Sequence, residues 1–89
     1  MKNTNNNTEK VFNRMKIAIR NRARDHGRVS AVDILGVGVS VQGAERGILL
    51  RRAFAELTNS GFLRSTEDTR YNEETRSSVT VYELVERRW

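Results

Sequence analysis

The spacing of the apolar residues changes along this chain, and that change constrains the fold more than any other feature. Near the N-terminus, Phe12, Met15, Ile19 and Ala23 recur every three or four residues, which places them on one face of an α-helix. Near the C-terminus, residues 79–85 are mostly β-branched or aromatic, as in a β-strand. A chain that passes from helical to strand patterning predicts an α+β fold around one small core.

The first predicted helix begins at Thr8, whose hydroxyl suits an N-cap, and ends at Gly27, which suits a left-handed C-cap. Residues 1–7 are polar and Asn-rich, so we expect a disordered tail there. We predict one domain over residues 8–89, because a chain of 89 residues has room for a single core.

Two further helices are predicted in the middle of the chain. Ser30 and Asp33 have the spacing of a capping box, which predicts a short second helix at residues 31–35. The glycine-rich stretch 36–40 predicts a turn. A long third helix is then predicted over residues 40–59. Its predicted buried side consists of Gly47, Leu50, Ala53, Phe54 and Leu57.

The C-terminal third predicts an antiparallel hairpin. Gly61 allows a sharp turn out of the third helix. Two strands are predicted at residues 62–66 and 79–85, and the polar segment 67–78 between them is predicted to form a long tip.

The charge of the chain indicates a polyanionic partner. The formal net charge is +5 and the isoelectric point is about 10.4. Residues 1–30 carry eight Lys or Arg against two acids, whereas residues 65–89 carry four against six. A concentration of positive charge in a chain this basic is typical of nucleic-acid binding.

The sequence offers little for catalysis. It has no cysteine and one histidine, His26, so it lacks a thiolate metal site and a nucleophile–base pair. We interpret His26 as a helix-end residue, and we expect no enzyme activity, metal or cofactor. No apolar run reaches the ~18–20 residues of a membrane span, and no signal peptide is evident, so we expect a cytoplasmic protein without membrane association.

The order of helix, short strand, short helix, turn, long helix and hairpin resembles the winged helix-turn-helix superfamily. The residues that carry the resemblance are the capped segment 30–35, the turn 36–40, and Leu57-Thr58-Asn59-Ser60-Gly61-Phe62-Leu63-Arg64 at the end of the third helix. The resemblance covers residues 8–85. It implies a winged-helix fold of three helices with a C-terminal β-hairpin wing, and a third helix that enters the major groove of DNA.

The resemblance also implies where DNA is bound. Arginines of the third helix are candidates for base contacts, arginines of the wing for the minor groove, and the start of the second helix for a phosphate. The candidate DNA-binding residues are Arg28, Ser30, Ser40, Gln42, Glu45, Arg46, Arg51, Arg52, Arg70 and Arg76.

We therefore predict that the partner is duplex DNA and that the protein is a transcriptional regulator. We expect it to act as a homodimer, with Ile17 and Trp89 as candidate dimer contacts. The alternative is a protein-interaction module of the same fold, in a nucleoprotein assembly or on an acidic partner protein, because the predicted tip carries four acids. RNA binding through the first helix is less favoured, since exposed aromatic residues are scarce. Two interpretations stay open for the basic side of that helix: binding to phosphates or acidic protein, and plain solvation.

Overall fold

A computed structural model of the protein describes residues 4–34, 36–37, 43–73 and 75–85. In this part, the chain forms one sheet and two α-helices. The helices are α1 (Thr4–His26) and α2 (Gly43–Asn59), and the strands are β1 (Arg28–Val29), β2 (Leu63–Asn72) and β3 (Ser77–Leu84). The sheet is antiparallel with the strand order β1-β3-β2. The structure is therefore an α+β fold of two helices and three strands.

The predicted winged-helix fold with three helices is wrong, because the described residues hold two α-helices. The predicted second helix at residues 31–35 is replaced by a four-residue 3-10 turn at Ala31–Ile34. The Asp33 N–H donates to the Ser30 carbonyl at 3.0 Å, and the Val37 N–H donates to the Ile34 carbonyl at 3.1 Å. A segment this short does not offset the cost of starting an α-helix, so i→i+3 bonds are formed instead.

The C-terminal ends of both helices lie where the sequence predicts them, whereas the start of α1 does not. α1 begins at Thr4, ahead of the predicted start at Thr8 and within the predicted tail. It ends before Gly27, as predicted, where φ is 79° and the Gly27 N–H donates to the Ala23 carbonyl at 2.7 Å. The predicted third helix corresponds to α2 and ends at Asn59 as predicted.

Gly61 turns the chain from α2 into β2. Its φ is 88°, its N–H donates to the Thr58 carbonyl at 3.1 Å, and the Phe62 N–H donates to the Leu57 carbonyl at 3.0 Å. These two bonds define a Schellman motif, which needs a left-handed residue at this position. The glycine therefore fixes the direction in which the hairpin leaves the helix.

The hairpin strands are longer than predicted and extend into the segment predicted as a polar tip. β2 runs to Asn72 and β3 starts at Ser77, which leaves residues 73–76 for the turn. The pairing is irregular between Ser65 and Thr69. At this bulge the Thr66 hydroxyl donates to the Val81 carbonyl at 2.7 Å and accepts from the Asp68 N–H at 3.1 Å. Threonine is common in strands, and threonine and serine side chains can hydrogen-bond across a strand pair, so this polar segment still pairs with β3.

The core lies where α1 and α2 pack on each other and on the sheet. The predicted face of α1 is confirmed, since Phe12, Met15, Ile19 and Ala23 are all buried. On α2, Leu49 is buried and Leu50 packs at the edge, so the buried face differs slightly from the predicted one. The buried core residues are Val11, Phe12, Met15, Ile19, Ala23, Val29, Ile34, Leu49, Ala53, Phe54, Leu57 and Leu63.

Candidate nucleic-acid interface

α2 presents a solvent-facing side on which one arginine stands among short side chains. Arg51 and Ala55 are exposed there, and Ile48 is 56% exposed. The opposite side of the helix, including Ala53, is buried. Arg51 is therefore accessible to a ligand on the outer side of the helix.

A cleft of about 670 Å³ separates α2 from the β2–β3 hairpin. Its floor is apolar, because the rings of Phe54 and Tyr82 stack with centroids 4.6 Å apart and an interplanar angle of 20°. Arg51 lines the helix side of the cleft. The hairpin side contributes the polar residues Asn72, Thr75, Ser77, Ser78 and Thr80. An apolar floor with a few convergent polar groups is the common form of a binding site.

Arg76 lies in the turn at the end of this cleft. Its φ of 56° is in the left-handed region, which is uncommon for a residue other than glycine. The neighbouring Thr75 and Ser77 line the cleft, and their hydroxyl oxygens are 2.8 Å apart. Arg76 is exposed and forms no ion pair with the described residues. Of the predicted DNA-binding residues, Arg51 thus lines this cleft, and Arg76 lies between two residues that line it.

Arg70, in contrast, is engaged by Asp33, whose side chain is only 6% exposed. The Asp33 Oδ1 atom accepts from Arg70 Nη1 at 2.7 Å and from Arg22 Nη2 at 3.3 Å. The Oδ2 atom accepts from the Ser30 N–H at 2.8 Å and the Ser30 hydroxyl at 3.3 Å. One carboxylate therefore connects α1, the 3-10 turn and β2.

A second cleft, of about 470 Å³, surrounds this carboxylate, and it is lined by Arg22, His26, Arg28 and Arg70 among others. Arg28 Nη2 lies 2.8 Å from an oxygen of Asp68. The two aspartates offset most of the positive charge of this cleft. Sequence reasoning missed Arg22 and His26, and the only signal was that i, i+4 spacing puts them on one side of α1. The sequence does not reveal which strand packs beside them.

Arg52 points toward α1, away from the outer side of α2 where Arg51 stands. Its guanidinium carbon lies 4.6 Å from the centroid of the Phe12 ring, and its Nε atom lies 3.8 Å from Glu56. Lys16 joins the same group, with Nζ 3.2 Å from Glu56 and 4.7 Å from the Phe12 centroid. This group joins the two helices, so Arg52 is engaged with α1 whereas Arg51 lines the cleft.

The other candidates of the predicted third helix are placed less favourably. Glu45 is exposed and accepts a hydrogen bond from the Thr8 hydroxyl at 3.3 Å, which ties it to α1. Arg46 is half-buried. Ser40 and Gln42 lie outside the described residues. Ser30 is fully buried, and both its bonds go to Asp33, so its side chain is not exposed to a phosphate.

The ion pairs divide the described cations into two groups. Four acids, Asp33, Glu56, Asp68 and Glu83, pair with Lys16, Arg22, Arg28, Arg52, Arg64 and Arg70. The described cations without an ion pair are Lys10, Arg14, Arg20, Arg24, Arg46, Arg51 and Arg76. Four of this second group lie on α1, Arg51 lines the cleft between α2 and the hairpin, and Arg76 lies in the hairpin turn. The exposed positive charge is therefore concentrated on two surfaces.

Comparison with protein-family models, with curated proteins and with solved structures finds no match to this chain. These comparisons give no evidence for or against the winged helix-turn-helix resemblance. In the part of the chain that is described, no helix has both the length and the apolar character needed to cross a membrane. The same residues contain no group of three or more His, Cys, Asp or Glu placed to hold a metal ion.

Proposed function

We propose that this protein binds duplex DNA, with α2 and the β2–β3 hairpin as the contact surface. The observation that supports this most is that one arginine lines the cleft between these elements and a second follows and precedes residues of the hairpin that line it. Arg51 on α2 and Arg76 in the hairpin turn are both exposed, and neither forms an ion pair with the described residues. Arginine bonds phosphates and the guanine edge with two donors at once, so these side chains suit a nucleic-acid ligand.

The elements around the cleft have the dimensions for this role. The major groove of B-DNA admits one α-helix, and the exposed side of α2 has Ile48, Arg51 and Ala55 to place against base edges. The hairpin contributes hydroxyl groups at Thr75 and Ser77, which can donate to phosphate oxygens. In this arrangement Arg51 reads bases and Arg76 binds the backbone.

A protein with this surface and no catalytic group would act by occupying DNA, which fits a cytoplasmic transcriptional regulator. If the protein acts as a homodimer, two copies would contact half-sites about one helical turn apart, ~34–36 Å. The proposal concerns the contact surface of one molecule and does not depend on the dimer.

Fluorescence anisotropy with a labelled random-sequence duplex tests the proposal. The parent should bind, and its log affinity should fall with log salt by ~0.9 for each phosphate contacted. The double substitution Arg51→Gln and Arg76→Gln should weaken binding at every salt concentration and reduce that slope by ~0.9, which is the share of the one phosphate contact assigned to Arg76.

The matched control is the double substitution Arg28→Gln and Arg64→Gln. It removes the same charge from exposed residues that already pair with Asp68 and Glu83. The control should bind nearly as the parent does. The proposal is refuted if the parent does not bind at 50 mM salt, or if the two double variants lose affinity equally.

A protein-interaction surface is the second candidate, because two large apolar side chains are exposed near the same elements. Ile48 on α2 is 56% exposed and Tyr71 on β2 is 59% exposed. Single exposed apolar side chains are common on protein surfaces, so these two residues indicate an interface only if a partner protein contacts them. A purified protein that binds the parent but not the Ile48→Ser variant, together with no affinity for duplex DNA, would favour this candidate.

A further inference from the structure

The outer face of α1 carries a line of five residues that the core does not use. Lys10, Arg14, Ile17, Asn21 and Arg24 are exposed and follow one another at alternating steps of four and three residues. That spacing places them on one side of the helix over about 21 Å. We refer to these five residues as the basic stripe. The buried residues of α1 lie on the opposite side of the helix.

The basic stripe carries three positive charges and no negative one. Lys10, Arg14 and Arg24 form no ion pair with the described residues. The Arg24 guanidinium lies 5.6 Å from the centroid of the Phe62 ring, a contact that orients it without offsetting its charge. The acids Glu9 and Asp25 are confined to the two ends of this side of the helix. Between them the stripe has three cations and the uncharged Ile17 and Asn21, so its net charge is positive.

The composition of the stripe indicates which ligand it fits. Protein interfaces have apolar and aromatic cores that are depleted in lysine, whereas this stripe has Ile17, 53% exposed, as its one apolar residue. A second copy of the chain would bring like charges together, which is unfavourable. A duplex, with about one negative charge per 1.7 Å of helix axis, complements a line of cations of this length.

We propose that the basic stripe is a second DNA-binding surface and that one molecule of this protein holds two duplex segments. The inference rests on the proposed function, since it needs the cleft beside Arg51 to bind the first duplex. The stripe lies on the side of α1 that faces away from the core, and Arg51 lies on the side of α2 that faces away from the same core. Lys16, which pairs with Glu56, marks the side of α1 that meets α2, and Ile17 at the middle of the stripe is turned by ~100° from it. The stripe therefore faces away from α2, so a straight duplex on one surface leaves the other free.

A two-duplex capture assay tests this inference. One duplex is fixed to beads and saturated with the protein, unbound protein is washed away, and a labelled second duplex of random sequence is added. The parent should retain the labelled duplex, and retention should fall by about 40-fold between 50 and 200 mM salt if three phosphates are contacted. The triple substitution Lys10→Gln, Arg14→Gln and Arg24→Gln should reduce retention at least about tenfold and change the affinity for a single duplex much less.

The control is the triple substitution Arg28→Gln, Arg52→Gln and Arg64→Gln, which removes the same formal charge from exposed side chains that are paired with acids. It should capture as the parent does, with circular dichroism confirming that all proteins are folded. The inference is overturned if the stripe variant and the control capture equally. It is also overturned if the parent binds one duplex and captures no second, an outcome that leaves the proposed function standing. No binding to either duplex overturns both.

Discussion

Replacing Asp33 with alanine tests the idea that one buried carboxylate joins three elements of this fold. The substitution removes the acceptor for the Ser30 N–H and the shared partner of Arg22 and Arg70. It leaves the apolar core unchanged, since Asp33 is not part of it. A loss of stability would therefore report the polar connections rather than a cavity.

The size of the effect follows from the exposure of the partners. The side chains of Arg22 and Arg70 are 42% and 49% exposed, so water replaces part of each lost ion pair, and about 0.5–1 kcal/mol is expected for each. The bond to the backbone of Ser30 resembles a cap and contributes about 1 kcal/mol. We expect Asp33→Ala to lower the free energy of unfolding by about 2–3 kcal/mol. Asp33→Asn should lower it less, because the amide oxygen still accepts from Ser30.

Urea denaturation followed by circular dichroism measures the free energy of unfolding of these variants. With an m-value of about 1–3 kcal/mol/M, the midpoint of Asp33→Ala should fall by about 0.7–3 M. Asp68→Ala is the control, because Asp68 pairs with Arg28 but is 59% exposed, and its loss should cost less than about 1 kcal/mol. Equal midpoints for the two alanine variants would refute the reasoning, since burial and the number of partners would then not matter.

Three further predictions concern glycines, rings and an exposed isoleucine. Gly27→Ala should destabilise the protein by about 1 kcal/mol, because the φ of Gly27 is 79° and alanine is strained there. Gly47→Ala should stabilise it by a similar amount, because Gly47 is inside α2 and an added Cβ would meet no atom within 4 Å. Thermal unfolding should therefore show melting temperatures that shift in opposite directions, and shifts of the same sign would contradict the prediction. Tyr82→Leu should lower the free energy of unfolding by about 0.5–1.5 kcal/mol more than the loss of buried apolar area explains, because the ring stack with Phe54 is lost. Urea denaturation measures this difference, and an unchanged free energy would contradict a stabilising stack. Ile48→Ser should leave the unfolding midpoint within about 0.5 kcal/mol of the parent, since the residue is 56% exposed; a larger loss would mean that Ile48 belongs to the core.

Much of the fold can be predicted from local signals in the sequence. The apolar spacing on α1, the cap at Gly27 and the turn at Gly61 each have a physical cause within a few residues, and each prediction is confirmed. The failed prediction, a helix at residues 31–35, used a capping pattern that is equally suited to a single turn. The hairpin length was underestimated because polar strands are stabilised by pairing partners that lie far away in the sequence.

The candidate site is harder to predict because it depends on which charges are already paired. Arg51 and Arg52 are neighbours in sequence and look equivalent there. The structure gives them different roles, since Arg52 packs on Phe12 beside Glu56 and Arg51 lines a cleft. The same applies to Arg70, whose acid partner is 37 residues away in the chain. Long-range ion pairs leave no periodic signal, so only the three-dimensional arrangement separates a structural arginine from a binding one.

The strand order has a consequence for how the protein behaves at high concentration. In the described part of the chain, β2 pairs with β3 alone, so its outer edge offers backbone groups with which another molecule could form a continuous sheet. The irregular pairing between Ser65 and Thr69 bends that edge, and charged side chains at Glu67 and Asp68 stand beside it. Deleting the two extra residues of β2 at this point would give it a regular pairing with β3 and a straighter outer edge. The irregularity thus makes the outer edge of β2 a poorer template for sheet pairing between two copies of this chain.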